Sequence, residues 1–398
     1  MINLIIFISI IFYFFKLTKY QFLFFIILTM PIFAILFEYN TGIYFTYMNQ
    51  SIHTKDLLEN SLIIYSLFLI TLKLGFLSKL KIKTLSKSIS INNISLFFPI
   101  LLFFLWLLSL QTPPGTILTG YEYAKTEYTK TITLNIIPIL FFITFIIYIS
   151  FIIKRNKLSK ENIRNIFFFY IIGVIYFHFL KGSRVEALGL SISLYFIAIE
   201  IVNKKLVKKL TLFMLFLIIM LWIVGFIRSG NFDLSRIFVS FSTFSDIGNT
   251  YLICIDMINS GFIDLKGFDL IKDNLLSTLP KNFSPIDRPI SIAAWLGTQY
   301  TSWGGIHWFG SIYLSFGYFG IIYVYLFGVF LGTLENYKSN IGSIGHLMFL
   351  ITIMQSFRWL YYGGLPLYKA FIILFILLLL IKYLEYILIK RNKYEITN

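Results

Sequence analysis

Read as apolar and polar positions, the chain is a succession of long apolar runs separated by short polar ones. The runs fall at 3–15, 20–37, 61–77, 95–110, 134–153, 165–180, 185–202, 210–227, 309–331, 344–361 and 365–389. A helix needs about 20 mostly apolar residues to cross a bilayer, so the pattern predicts about eleven spans, the first of them short. One intervening stretch, 228–308, is far longer than the others. Inside it, 235–259 sets Ile237, Phe238, Phe241, Phe244, Ile247 and Leu252 at helical spacing. That spacing predicts an amphipathic helix lying at the membrane surface. A second, shorter amphipathic stretch follows at 262–279, after which Pro280, Pro285 and Pro289 break regularity. Trp295, Tyr300, Trp303 and Trp308 read as aromatic anchors at headgroup level. The expectation is one transmembrane domain over 1–398. It is an all-α, polytopic fold with a large extracytoplasmic loop, 228–308, that contains amphipathic helices.

Charge sets the orientation. Lys16 and Lys19, the lysines of 79–87, the cations of 154–164, the lysines of 204–209 and those of the tail at 390–393 fall in alternate loops. By the positive-inside rule these loops are cytoplasmic, which puts the amino terminus outside and the carboxyl terminus inside. The composition agrees: 58% hydrophobic residues and 13% charged, with mean hydropathy +0.81, is a membrane composition. The net charge of +16 is then explained by topology rather than by nucleic acid. The single Cys254 forms no internal disulfide, and four scattered histidines argue against a zinc centre. The first run lacks a basic leader and a small-residue cleavage site, so it reads as a retained helix. No P-loop, dinucleotide fingerprint or metal-ligand cluster is present, and no cofactor is expected. Gly225, Gly310, Gly317, Gly320, Gly328 and Gly332 lie in or near spans and read as close-packing positions.

Candidate chemistry gathers on the outer side. Two runs meet there at a very short turn, Lys181-Gly182-Ser183-Arg184. Arg228 stands at the outer end of 210–227, and Arg358 about one turn inside the outer end of 344–361. Cations are scarce on that side, and a guanidinium matches phosphate oxygens bidentately. The three arginines therefore suggest a shared diphosphate site, supported by Gly182, Ser183 and Glu186. The alternatives are snorkelling to headgroups or, for Arg184, simple pairing with Glu186. Asp246 interrupts an apolar-aromatic face and is a candidate general base, the alternative being a solvated helix face. His307, just before the run at 309, is a candidate for taking or orienting a proton, the alternative being a structural histidine.

Three features resemble the O-antigen (oligosaccharide repeat unit) polymerases, the Wzy-type family. They are Gly182-Ser183-Arg184 at the end of a central pair of spans, the large outer loop in the second half, and Gly304-Gly305 followed by Tyr313-Leu314-Ser315-Phe316-Gly317-Tyr318-Phe319-Gly320. The last is similar to the family's Y-x-N-F-G-x-x-G. The likeness covers roughly 165–370 in pattern. Ser315 stands where Asn is frequent, and Ser311 where an acid often precedes the Tyr, which leaves the general base open. The resemblance implies a GT-C-like, metal-independent glycosyltransferase in the bacterial cytoplasmic (inner) membrane, with its active site on the periplasmic side. Its substrates would be glycans on undecaprenyl diphosphate, among membrane lipids, with a chain-length regulator and a flippase of the same pathway as partners and no nucleic acid. A lipid-linked oligosaccharide flippase and an O-antigen ligase are the competing classes.

Overall fold

The computed structural model describes residues 17–41, 54–89, 97–110, 136–154, 160–174, 184–200, 242–261, 264–276 and 306–397, with a few isolated positions. These residues are helical and carry no sheet. The helices are α1 (Lys19–Thr41), α2 (Lys55–Leu77), α3 (Phe97–Leu110), α4 (Ile136–Lys154), α5 (Lys160–Val174) and α6 (Arg184–Glu200). After these come α7 (Ser242–Asn259), α8 (Gly267–Leu276), α9 (Trp308–Phe316), α10 (Gly320–Glu335), α11 (Ile344–Met354), α12 (Ser356–Tyr362) and α13 (Leu365–Thr397). Three stretches are long and apolar enough to cross a membrane: Lys55–Leu77, Trp308–Glu335 and Pro366–Leu384. Among the described residues the protein is thus all-helical, with helices long and apolar enough to cross a membrane. The predicted run at 210–227 falls largely outside the described residues, as do most of the first and the end of the run at 165–180.

The chain forms two compact units. The first comprises Met1–Lys81, Asp233–Asn336 and Ser356–Tyr368, and the second Ile82–Phe232, Tyr337–Gln355 and Lys369–Asn398.

The first unit is built on two helices that run side by side, α2 and α10. Thr54 caps α2 by accepting from the Leu57 amide, at 3.2 Å, and Asp56 complements the dipole in the first turn. Glycines let the two backbones touch. A Cβ added at Gly328 would lie 2.5 Å from the Leu72 carbonyl oxygen and 3.0 Å from the Gly75 Cα. One added at Gly332 would lie 2.5 Å from the Phe76 oxygen. The match of 328 with 72 and 332 with 76 makes the helices parallel. Between helices that are apolar all round, close contact of this kind replaces a hydrophobic drive, because lipid is as apolar as leucine.

The run at 309–331 was expected to be one rod, and it is not. A straight helix would hold Trp308 and Phe327 about 28 Å apart, whereas their rings lie 4.7 Å centroid to centroid. The chain turns at Gly317, whose φ of 55° favours glycine, and α9 folds back over the first turns of α10. There Ile312 meets Gly320 and the Phe316 ring stacks on Tyr323 at 6.0 Å. Trp308, expected at the headgroup level, is instead 2% exposed and meets Trp359 edge-on at 5.2 Å.

Helix α7 also departs from expectation. Its second half is buried all round, with Tyr251, Leu252, Ile253, Cys254, Ile255 and Met257 within the core. It packs on α1, α2 and α9 rather than lying on a surface. Gly248 allows this approach, since a Cβ there would stand 3.3 Å from the Pro31 oxygen. The Tyr251 hydroxyl donates to the Ser61 carbonyl at 2.8 Å. Helical spacing of apolar residues marks an apolar face and does not say whether protein or lipid covers it.

In the second unit α3 packs on α4, and α11 on α4 and α6. Gly189 on α6 makes the tightest approach, where any Cβ would overlap the Met354 carbonyl oxygen. The Tyr170 hydroxyl of α5 donates to Ser191 Oγ of α6 at 2.7 Å. Lys154, a cation at the carboxyl end of α4 where the helix dipole favours it, donates to the Ile89 carbonyl at 2.8 Å and to Ser88 Oγ.

The glycine seam makes a first prediction. Gly328→Val forces α2 and α10 apart and destabilises the chain by about 1–3 kcal/mol or more. Ile322→Ala, at a side chain 61% exposed, leaves stability unchanged. Melting of the purified protein in detergent distinguishes them; equal midpoints for the two variants contradict the seam.

Candidate functional site

The best-defined polar cluster grows from Pro31, inside α1. Proline has no amide hydrogen, so the Ile27 carbonyl loses its intrahelical donor. The Tyr361 hydroxyl of α12 supplies one at 2.8 Å. The next carbonyl, Leu28, accepts from the Tyr65 hydroxyl of α2. Tyr65 Oη in turn lies 3.1 Å from His307 Nε2. His307 is the N-cap of α9, and its Nδ1 accepts from the Phe309 amide at 3.2 Å. With Nδ1 accepting, Nε2 carries the proton and donates to Tyr65, whose own proton goes to Leu28. One chain of hydrogen bonds therefore ties α9, α2 and α1.

This geometry gives His307 a structural task. It is fully buried among the rings of Tyr65, Tyr251 and Phe309, and both ring nitrogens are occupied. Burial pushes its pKa from 6.5 down to about 3, so the ring stays neutral. A buried, neutral imidazole engaged at both nitrogens fits the structural alternative for His307.

Arg358 sits on α12, which is seven residues long. The next residue, Trp359, is fully buried, its ring 5.2 Å from Phe327, 5.2 Å from Trp308 and 5.9 Å from Phe24. Arg358 is only partly exposed. Its helix is thus clamped on one side by aromatic rings and at Tyr361 by the freed carbonyl of α1.

The remaining predicted residues are placed as follows. Asp246 lies on α7, two residues before Gly248, in the same unit as Arg358 and His307. Arg184 is the first residue of α6, with Glu186 in the same first turn, in the second unit. Gly182, Ser183 and Arg228 lie outside the described residues, as do Trp295, Tyr300 and Trp303.

A second polar cluster escaped the sequence reading. Lys73, 2% exposed although it lies within an apolar helix, donates to Gln21 Oε1 at 2.7 Å. Gln21 Nε2 donates to Glu335 Oε2 at 3.4 Å, and Lys79 Nζ pairs with the same oxygen at 3.1 Å. Glu335 is 3% exposed and its Oε1 is buried with no hydrogen-bond partner. The signal was available: Lys73 interrupts the run 61–77, and a charge inside a span is expensive enough to need a partner.

The fold and these clusters define an all-helical protein with membrane-crossing helices and buried charge near the helix ends. No family model, curated protein or solved structure matches the chain.

Two outcomes test the cluster around Pro31. Tyr361→Phe leaves the Ile27 oxygen unpaired and costs about 1–3 kcal/mol. In a Pro31→Ala background the restored amide at 31 bonds Ile27, and the same change costs much less. Equal costs in a thermal-melt cycle would show that Tyr361 stabilises by packing alone. For His307 the folded-state pKa lies below that of the free ring. The neutral ring therefore stabilises the fold above pH 6.5, and that contribution is lost as pH falls from 6.5 toward 3. His307→Asn keeps a capping acceptor and flattens the fall of melting temperature between pH 6.5 and 5, whereas wild type keeps its slope.

Proposed function

We propose that the chain is a membrane glycosyltransferase, an O-antigen or related polysaccharide polymerase. It transfers a growing glycan from undecaprenyl diphosphate to the non-reducing end of a new lipid-linked repeat unit. In this reading the acceptor hydroxyl oxygen attacks the anomeric carbon of the donor. The bond from that carbon to the diphosphate oxygen breaks, and undecaprenyl diphosphate leaves. The hydroxyl proton passes to Asp246. Arg184, Arg228 and Arg358 hold the diphosphates and balance the charge that grows on the leaving group, with Gly182, Ser183 and Glu186 shaping the turn at Arg184. His307 keeps only its capping role. The proposal includes the eleven-span topology, the outer loop 228–308, and an inner-membrane location with the site on the periplasmic side.

The observation that carries the reading is Arg358. A cation within an apolar run costs about 2.5–3.5 kcal/mol at mid-depth and less near an end, yet this one stands on a helix fixed by Trp359 and Tyr361. Support for Arg184 comes from Gly189, five residues on, whose lack of a side chain lets α6 press on the Met354 carbonyl. A lipid-linked oligosaccharide flippase is the second reading, favoured by the buried Lys73–Gln21–Glu335 cluster, since transporters keep paired charges inside their helices.

A deletion strain separates the two. Loss of a polymerase leaves lipid A capped with single repeat units, and loss of a flippase leaves none. Arg184→Ala, expressed at normal abundance, abolishes long chains on a lipopolysaccharide gel, and Arg358→Lys shortens them because a lysine lacks the bidentate fork. Wild-type chain lengths in Arg184→Ala would refute the diphosphate role.

A further inference from the structure

Around Gly317 the first unit carries an apolar surface that its own core leaves uncovered. Helix α8 is laid against α9 there. The Lys266 amide donates to the Leu314 carbonyl at 3.1 Å, Leu265 lies over Gly317, and the Phe268 ring meets Phe316 edge-on at 5.3 Å. Although held on one side, Phe268 is 77% exposed and Phe319, in the turn itself, 78%. Tyr318 and Leu265 beside them are exposed as well, at 55% and 48%.

Two observations identify what covers this surface. The exposed band is continuous with the flank of α10, where Ile322 and Leu326 stand open on a membrane-crossing stretch. The level is also right. Gly320 meets the Phe68 ring, and Tyr251, on the helix packed against α9, bonds the Ser61 carbonyl. The charged residues of α2, Lys55, Asp56 and Glu59, lie just beyond Ser61. The turn therefore stands where α2 changes from apolar to charged, the position of a lipid–water boundary. Lys266 and Lys272, both exposed, flank Phe268 along the chain, with the exposed Asp269 between them. An aromatic face bordered by lysines on a short helix is the composition of an element lying in the plane of the interface.

We propose that Leu265, Phe268, Tyr318 and Phe319 form a lipid-docking face. It seats in the leaflet at the α10 amino-terminal end, with Phe268 and Phe319 among the upper acyl carbons and Lys266 and Lys272 at headgroup phosphates. Helix α8 is then an in-plane membrane element rather than part of an aqueous loop, whatever reaction the chain performs.

The test places a nitrobenzoxadiazole probe on Phe268→Cys or Phe319→Cys, in full-length protein in phosphatidylethanolamine–phosphatidylglycerol liposomes. Cys254, the single native cysteine, is buried and remains unlabelled. Both probes emit to the blue and are quenched by lipid spin-labelled high on the acyl chain, while iodide has little effect. A probe on Asp264→Cys, an exposed acidic position, shows the reverse. Lys272→Cys, an exposed position whose change leaves the packing intact, is quenched best by headgroup-labelled lipid and covers the case in which a phenylalanine variant misfolds. Iodide quenching without lipid quenching at 268, 319 and 272 overturns the proposal. So does oxidative cross-linking of Phe268→Cys into dimers without lipid quenching, which would make a second copy the occupant.

Discussion

A carbonyl oxygen inside a bilayer has no water to turn to, so each one released from a helix ladder must find a donor in the protein. Pro31 releases one in the middle of α1, and the first unit is arranged around the consequence. Its donor comes from Tyr361, and the adjacent Leu28 oxygen accepts from Tyr65 as well; the two tyrosines lie on helices remote in sequence from α1 and from each other. Because Tyr65 is itself bonded to His307, the cap of α9 is drawn into the same chain. Gly248 then brings α7 against the Pro31 carbonyl from another direction. Directed bonds at two adjacent carbonyls, one of them freed by Pro31, thus specify the neighbours of α1 more sharply than apolar packing would, since a hydrogen bond has direction and a methyl contact does not.

The other end of the unit is organised by charge. Helices α2 and α10 are parallel, so both carboxyl ends, with their partial negative charge, emerge together. Lys73 and Lys79 offset those ends, and Glu335 would be disfavoured there without them. A lone lysine at mid-bilayer costs about 2.5–3.5 kcal/mol. Lys73 lies only one turn from the end of α2, where its stem can carry the ammonium outward, and Gln21 and Glu335 complete its surroundings. The pair would be costly to break one side at a time, because the remaining charge stays buried. The glycine seam is what keeps these ends in register. Tyr325 bonds Ser78 at 2.9 Å, and the Leu80 amide bonds Thr333 at 3.1 Å, contacts that need the two helices within backbone distance.

How much of this was legible in the sequence follows from what hydropathy can and cannot encode. The apolar runs announced the helices, and their glycines announced close packing. Hydropathy says nothing about which apolar face meets protein and which meets lipid, because both environments accept the same side chains. That is why α7 was expected at a surface and Trp308 at the headgroups, when both are core. The fold-back of α9 depended on one backbone angle at Gly317, in a run whose composition suits an unbroken span. His307 read as a proton carrier because histidine usually titrates near neutrality. Its environment of rings, invisible in the sequence, removes that property. Lys73 is legible as a charge inside an apolar run, but its partners Gln21 and Glu335 lie too far along the chain for spacing to connect them.

The same reasoning bears on Arg358. A helix of seven residues does not hold itself together in isolation, so the direction of α12 is set from outside. Trp359 sits among three rings contributed by α1, α9 and α10, and Tyr361 reaches the carbonyl that Pro31 left open. Arg358 lies one residue from the first anchor and three from the second, on a turn whose orientation those anchors fix before any ligand arrives. The elements that appear purely architectural, a proline kink and a buried tryptophan pair, therefore set the backbone position from which Arg358 extends.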